Sequence, residues 1–173
     1  MKDYKATKER NMIYEVKGDI LLSDAHAIAH CVAPNDDFKN GLALSLREAW
    51  PSLYKDFRHF SHTHHPKEGT LWLWGNSEGR RVFNLFIQQH AKTHMSHPGV
   101  ATIPYLNSAL KDLRNEIKKE KITSLAVPKL GTGVGHLNWT EVKPLIDKHL
   151  GDIGIPVYIY STYRKDEKAD EPA

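Results

Sequence analysis

The sequence predicts an α/β layered domain with a mostly parallel sheet. Three observations carry that expectation. Short apolar, strand-like segments alternate with helical ones along the chain. The segment from Ser124 to Val127 runs straight into a loop with glycines at three alternate positions, Gly131, Gly133 and Gly135. Before it, Ile103, Leu106, Leu110, Leu113 and Ile117 fall on one face of a helix, with Thr102 placed to cap it and Pro104 in its first turn.

Each element has its own signal. Met12 to Lys17 alternates like a half-buried strand and ends at Gly18-Asp19. Ala25 to Val32 is short and apolar, as a buried strand is. A polar loop, Pro34 to Gly41, leads to a helix from Leu42 to Trp50, stopped by Pro51. A second helix is expected from Ser52 to Phe60. Thr70 to Gly75 and Arg81 to Ile87 read as paired strands about the turn signal Gly75-Asn76-Ser77-Glu78-Gly79. Ile122 to Leu130 is the strand feeding the glycine loop, Thr140 to Leu150 a helix with Pro144 near its start, and Ile155 to Ser161 the last strand. The expected organisation is a flexible segment over 1–11, a single domain over 12–163 and a charged, disordered tail over 164–173, which lacks large apolar side chains.

At 173 residues and 40% hydrophobic the chain is long enough to bury a core without staples. Cys31 is the only cysteine, which leaves no intramolecular disulfide and no multi-cysteine metal site. With a polar N-terminus and no long apolar run, neither a membrane span nor a secretory signal is expected, and the cytoplasm is the expected compartment. The net charge of +3 tolerates a polyanionic partner without demanding one. Lys118-Lys119-Glu120-Lys121 reads more simply as the solvated end of a helix than as a nucleic-acid contact.

Ligands of open parallel sheets sit beyond the carboxyl ends of the strands. The loops after Lys17, Val32 and Leu130 leave strands that way and are expected to converge. Alternating glycines let the backbone turn several N–H groups into one concavity ahead of a helix, which suits a diphosphate. Gly133 is the position where a Cβ would most obstruct close approach. Asp19 reads either as a ligand contact at the strand end or as a turn cap. Asp36 and Asp37 read either as turn chemistry or as a base for an attacking water. Asn40 reads as a helix cap, a ligand contact, or both. His59, His62, His64 and His65 cluster, as do His90, His94 and His97. The Pro98-Gly99 break and the lack of cysteines argue against a metal site.

In this order, Lys17-Gly18-Asp19-Ile20, Ala29-His30-Cys31, Phe38-Lys39-Asn40-Gly41-Leu42-Ala43, Phe83-Asn84-Leu85 and Gly131-Thr132-Gly133-Val134-Gly135 with Leu137-Asn138-Trp139 resemble the macrodomain family, the ADP-ribose-binding module. The resemblance spans roughly Tyr14 to Tyr160. It implies a three-layer α/β/α sandwich with a central mixed, mostly parallel sheet. It also implies ADP-ribose contacts from Gly18, Asp19, Ile20, Asn40, Gly41, Leu130, Gly131, Thr132, Gly133, Val134 and Gly135, with Asp19 taking the amino group of the base.

The pattern is nearest the class containing the terminal ADP-ribose glycohydrolase, which includes an antitoxin that removes ADP-ribose from DNA bases. Its hydrolases use a lysine and an aspartate where this chain has Gln88 and Gly135, and neither can form a Schiff base or act as a base. A neighbouring branch, the ADP-ribose-1″-phosphate (Appr-1″-p) phosphatases, places catalysis at the position of His30. The resemblance therefore implies a hydrolase of the distal-ribose linkage acting through His30, Asp37 and Gln88, with a non-catalytic ADP-ribose reader as the alternative. It implies no cofactor and no metal. Expected partners are ADP-ribose or ADP-ribosylated protein or nucleic acid, met by a monomer away from membranes.

Overall fold

The computed structural model describes residues 11–93 and 98–172, so residues 1–10 of the N-terminal segment lie outside the described part. Six strands form one sheet: β1 (Ile13–Gly18), β2 (Ala27–Val32), β3 (Leu71–Gly75), β4 (Arg81–Phe86), β5 (Leu125–Pro128) and β6 (Val157–Tyr163). Their order is β1-β6-β5-β2-β4-β3, parallel throughout except for the antiparallel edge strand β3. The helices are α1 (Gly41–Ala49), α2 (Pro51–His64), α3 (Ile103–Lys119) and α4 (Trp139–Leu150), with a 3-10 turn at Ile20–Leu22.

The pleat sorts the strand residues into two faces. Ala27, Ala29, Phe83, Leu85, Val127 and Ile159 bury against the apolar stripes of α3 and α4. On the other face Val82, Phe86 and Trp74 pack with Leu46 of α1 and Leu53 and Phe57 of α2. The result is a three-layer α/β/α sandwich, the architecture expected. Thr102 Oγ1 accepts the Tyr105 N–H at 3.2 Å at the start of α3, and Pro104 sits where its missing donor costs nothing.

Two expectations need correction. Helix α2 runs four residues past Phe60, to His64, before His65 (φ +46) ends it in the left-handed conformation. Its polar last turn carries no apolar periodicity, but His64 stacks on Phe60 (ring centroids 4.6 Å) and Phe60 on Trp72. The larger correction concerns residues 164–172, which are ordered against the body of the domain rather than forming a loose tail. Ala169 is buried, and Glu171 accepts from Ser23 Oγ at 2.6 Å and from the Asp24 N–H at 3.1 Å. Tyr158 Oη donates to the Pro172 carbonyl at 2.6 Å. Composition missed this because the segment is fastened by polar bonds, which hydrophobicity does not register.

Candidate functional site

A cleft of about 390 Å³ opens at the carboxyl ends of β2, β5 and β6. One wall is the glycine loop between β5 and α4. Its three glycines do different things. Gly131 has φ +73, and a Cβ there would come within 2.8 Å of Leu137 Cδ1. A Cβ on Gly135 would meet the Gly131 carbonyl at 2.6 Å and Ala101 Cβ at 2.8 Å. Gly133 has nothing within 4 Å of that position, so it faces open space.

The loop is held by Thr132 N–H to the Lys129 carbonyl, His136 N–H to the Gly133 carbonyl and Leu137 N–H to the Gly131 carbonyl. Those bonds leave the Gly133, Val134 and Gly135 N–H groups without an acceptor among the described residues. This is a ready cradle for an anion. Lys129 lines the same wall, its ammonium 5.6 Å from the Trp139 ring centre.

The other walls come from Asn40, Gly41, Leu42 and Ala43 at the start of α1, from Gln88 beyond β4, and from Tyr160, Ser161 and Tyr163 of β6. Asn40 occupies the cap position of α1 but its side chain caps nothing. Gln88 is buried, its amide donating to the Gly99 carbonyl at 3.2 Å. Cys31 is a neutral thiol: burial pushes its pKa far up, opposed only in part by the hydrogen bond it shares with the Gly131 backbone.

His30 is fixed by strand register. It lies opposite Asn84 in the β2–β4 ladder, and its Nε2 sits 2.7 Å from Asn84 Oδ1. The Asn84 amide donates to the Trp72 and Val82 carbonyls, so its oxygen accepts and Nε2 carries the proton. Burial pushes the imidazole down to about 4, against the smaller opposing effect of Asn84. At neutral pH His30 is therefore uncharged, with its bare Nδ1 buried and unpartnered. It also meets Phe38 edge to face. It lines the inner wall of the cleft as an uncharged imidazole, and its lowered pKa makes it a weak proton acceptor at neutral pH.

The carboxylate that the cleft holds is Asp36, not Asp37. Asp36 Oδ2 accepts the Ala33 N–H at 2.9 Å and Oδ1 the Phe38 N–H at 2.9 Å, and burial outweighs those bonds and raises its pKa. The turn is strained, with the fully buried Phe38 at φ +54. Asp37 points away, caps the Lys39 N–H at 3.2 Å and lines only a neighbouring cavity.

That cavity, of about 700 Å³, meets the cleft at Asp36 and Pro98. Lys39, Arg47, Arg58 and Lys92 line it, with His62, His65 and His90. Arg47 donates to the Asp37 carbonyl at 2.9 Å and lies 4.1 Å above the Tyr54 ring. His90 pairs with Glu68 at 2.8 Å.

Of the remaining expected contacts, Leu130 is buried beneath the loop, and Gly18, Asp19 and Ile20 do not line the cleft but adjoin its edge, Gly18 pairing with Tyr163. Asp19 is only 6% exposed. Its Oδ1 accepts from Leu21 N–H and its Oδ2 from Asp166 N–H, both at 3.1 Å. The second histidine group extends into residues 94–97, outside the described residues. Among the described residues no cluster of three or more histidine, cysteine or acidic side chains is placed to hold a metal, and no helix is long and apolar enough to cross a membrane.

The chain has the macrodomain fold, and the Macro domain family model matches residues 79–146. Structurally it is similar to the macrodomain of Thermus aquaticus DarG, with a TM-score of 0.76 and 26% identity over 87% of this chain and 98% of that one. A Thermosipho africanus DarTG structure in complex with ADP-ribose matches at TM-score 0.76 and 25% identity, over 90% of this chain and 42% of that one. In sequence the chain is 28% identical over 153 residues to a Thermus aquaticus protein named DNA ADP-ribosyl glycohydrolase, covering 86% of this chain and 41% of that protein. It is 24% identical to the human ADP-ribose glycohydrolase OARD1, over 87% and 93% of the respective chains. The chain spans about two fifths of the length of the first curated relatives it matches.

Proposed function

We propose that this protein binds ADP-ribose in the glycine-loop cleft and hydrolyses the bond between the distal ribose and a nucleic-acid leaving group. The observation that carries the reading is the junction at Asp36, where a diphosphate-sized cleft opens into a cavity lined by four cationic side chains. With the diphosphate on the N–H groups of the loop, the distal ribose lies toward Asp36 and Gln88, and the nucleobase toward Tyr163. Whatever is attached to the anomeric carbon then enters the cationic cavity, where Lys and Arg suit phosphates and an aromatic–guanidinium pair suits a base. The names of the relatives from Thermus aquaticus and Thermosipho africanus support DNA as that leaving group.

In the reaction a water oxygen bonds to the anomeric carbon as the bond to the leaving group breaks. The leaving group keeps that electron pair, and Asp36 takes the proton from the water. A carboxyl raised by burial is a better proton acceptor than an ordinary surface carboxylate. Gln88, tethered to Gly99, positions a hydroxyl or the water and carries no charge of its own.

The test is release of free ADP-ribose, followed by chromatography, from an ADP-ribosylated oligonucleotide, an ADP-ribosylated protein and ADP-ribose-1″-phosphate. Turnover of the oligonucleotide, lost in Asp36→Asn with ADP-ribose affinity kept, supports the reading. Turnover of the protein adduct or the phosphate alone replaces the leaving group. One observation favours a reader instead: His30 and Gln88 are both hydrogen-bonded within the protein, and among the described residues Asp36 is the one carboxylate lining the cleft. Tight ADP-ribose binding with no turnover of any substrate selects it.

A further inference from the structure

The nucleobase end of the cleft is closed by the chain itself. Tyr163, the last residue of β6, pairs with Gly18 in the ladder and is 68% exposed at the mouth of the cleft. Beyond it the backbone turns back across the end of β1. The Arg164 N–H bonds the Gly18 carbonyl at 3.0 Å, and the Asp19 N–H bonds the Glu167 carbonyl at 2.8 Å. The Asp166 N–H bonds Asp19 Oδ2 at 3.1 Å and so occupies the carboxylate that the resemblance assigns to the amino group of a base.

The fit depends on Gly18. A Cβ there would lie 2.8 Å from the Glu167 carbonyl oxygen and 2.9 Å from Ala169 Cβ. Its φ of +156 lies just inside the region that favours glycine. The far end of the segment is pinned by Glu171, which accepts from Ser23, Asp24 and Tyr160, and Tyr160 itself lines the cleft.

The fastening is polar and shallow. Ala169 is the one buried apolar side chain of the segment, and the Lys168–Asp24 pair at 2.7 Å is well exposed. Each such hydrogen bond adds little beyond the one to water that it replaces, and an exposed ion pair adds less. Such a segment opens locally far more easily than the sheet beneath it.

We propose that residues 164–172 are a displaceable strap that competes with the base of a bound nucleotide for Asp19. The inference rests on the reading of the cleft as an ADP-ribose site. Binding a base-bearing ligand then requires the strap to lift, and apparent affinity falls by the fraction of molecules in which it is shut. Ligands that stop short of the base bind without that loss.

The experiment uses the full chain and two variants that loosen the strap, Glu171→Ala and Ala169→Glu. Titration calorimetry is run with ADP-ribose and with ribose 5-phosphate, which lacks a base, and amide exchange is followed by mass spectrometry. The expected result is a several-fold tighter Kd for ADP-ribose in both variants, with ribose 5-phosphate unchanged. In the unaltered chain, ADP-ribose is expected to speed exchange across 164–172 while slowing it in the glycine loop. ADP-ribose affinity that falls or stays level in both variants overturns the strap, as does slowed exchange across 164–172 on binding. If no form of the chain binds ADP-ribose, the functional reading falls and takes the strap with it.

Discussion

The two ends of the cleft are built on opposite terms. At the distal end, beyond Asp36, the protein opens into a cationic cavity larger than the cleft itself, walled by helices α1 and α2 and the segment after β4. At the other end the corner at Gly18 and Asp19 is covered by residues 164–172. Between them the glycine loop is the same kind of anion cradle whichever end is considered. The anion cradle is preorganised, whereas access at the two ends is set by side chains and by a stretch of backbone outside the sheet.

The largest expected effect breaks the distal side. Asp36→Asn should lower turnover by about 10²- to 10⁴-fold, the usual range for a proton-transfer group, while ADP-ribose affinity changes little. Calorimetry and the release assay read the two separately. Next, Gly133→Glu should weaken ADP-ribose binding by about a hundredfold, roughly 2.7 kcal/mol, by placing a carboxylate where the diphosphate sits. The position is open, so the melting temperature should hold, and a fall in it would show that the loop is structural instead.

A smaller effect concerns the frame behind the distal end. The folded pKa of His30, about 4, lies below its unfolded value near 6.5, so between those limits the unfolded chain binds a proton that the folded chain refuses. Its contribution to stability is complete above the unfolded value and is lost as pH falls toward 4. Between pH 7 and 5 the loss should be about 2 kcal/mol, read as the difference between the protein and His30→Gln in denaturant titrations. The comparison isolates His30 because the raised Asp36 carboxyl works in the opposite direction.

The smallest effect sharpens the contrast in charge. Arg58→Glu and Lys92→Glu should each weaken binding of an ADP-ribosylated oligonucleotide by about five- to tenfold and lower its salt dependence by about one phosphate contact. Affinity for free ADP-ribose should not move. An equal loss for both ligands would remove the cationic cavity from the substrate path.

Much of the frame was legible in the sequence because local signals agreed with one another. The Thr102 cap, Pro104 and the Ile103–Ile117 stripe each point to the same helix, and the glycine spacing marks the loop without help from the rest of the chain. What escaped depends on which strands are neighbours. His30 reads as a candidate acid or base, and only β4 beside β2 shows that its Nε2–H is donated to Asn84 and that burial holds the ring uncharged. Asp36 and Asp37 differ by one position, and only the strained turn at Phe38 shows which faces the cleft. The cationic cavity joins Lys39, Arg47, Arg58 and Lys92, which are too far apart in the chain to form a pattern. Residues 164–172 lack apolar spacing altogether, so their attachment through Glu171 and backbone N–H groups left no trace in hydrophobicity.

The position of β6 in the sheet sets an order in time. Among the described strands β1 pairs only with β6, with Ile13 opposite Val157, so within this domain β1 waits for β6 to be made before it can join the sheet. Strands β2 and β4, paired in register within a short stretch of chain, can form early with β3 alongside. The Gly18–Asp19 corner at the edge of the cleft is therefore assembled last. Local opening of residues 164–172 should undo it first, while the glycine loop and the Asp36 turn remain folded.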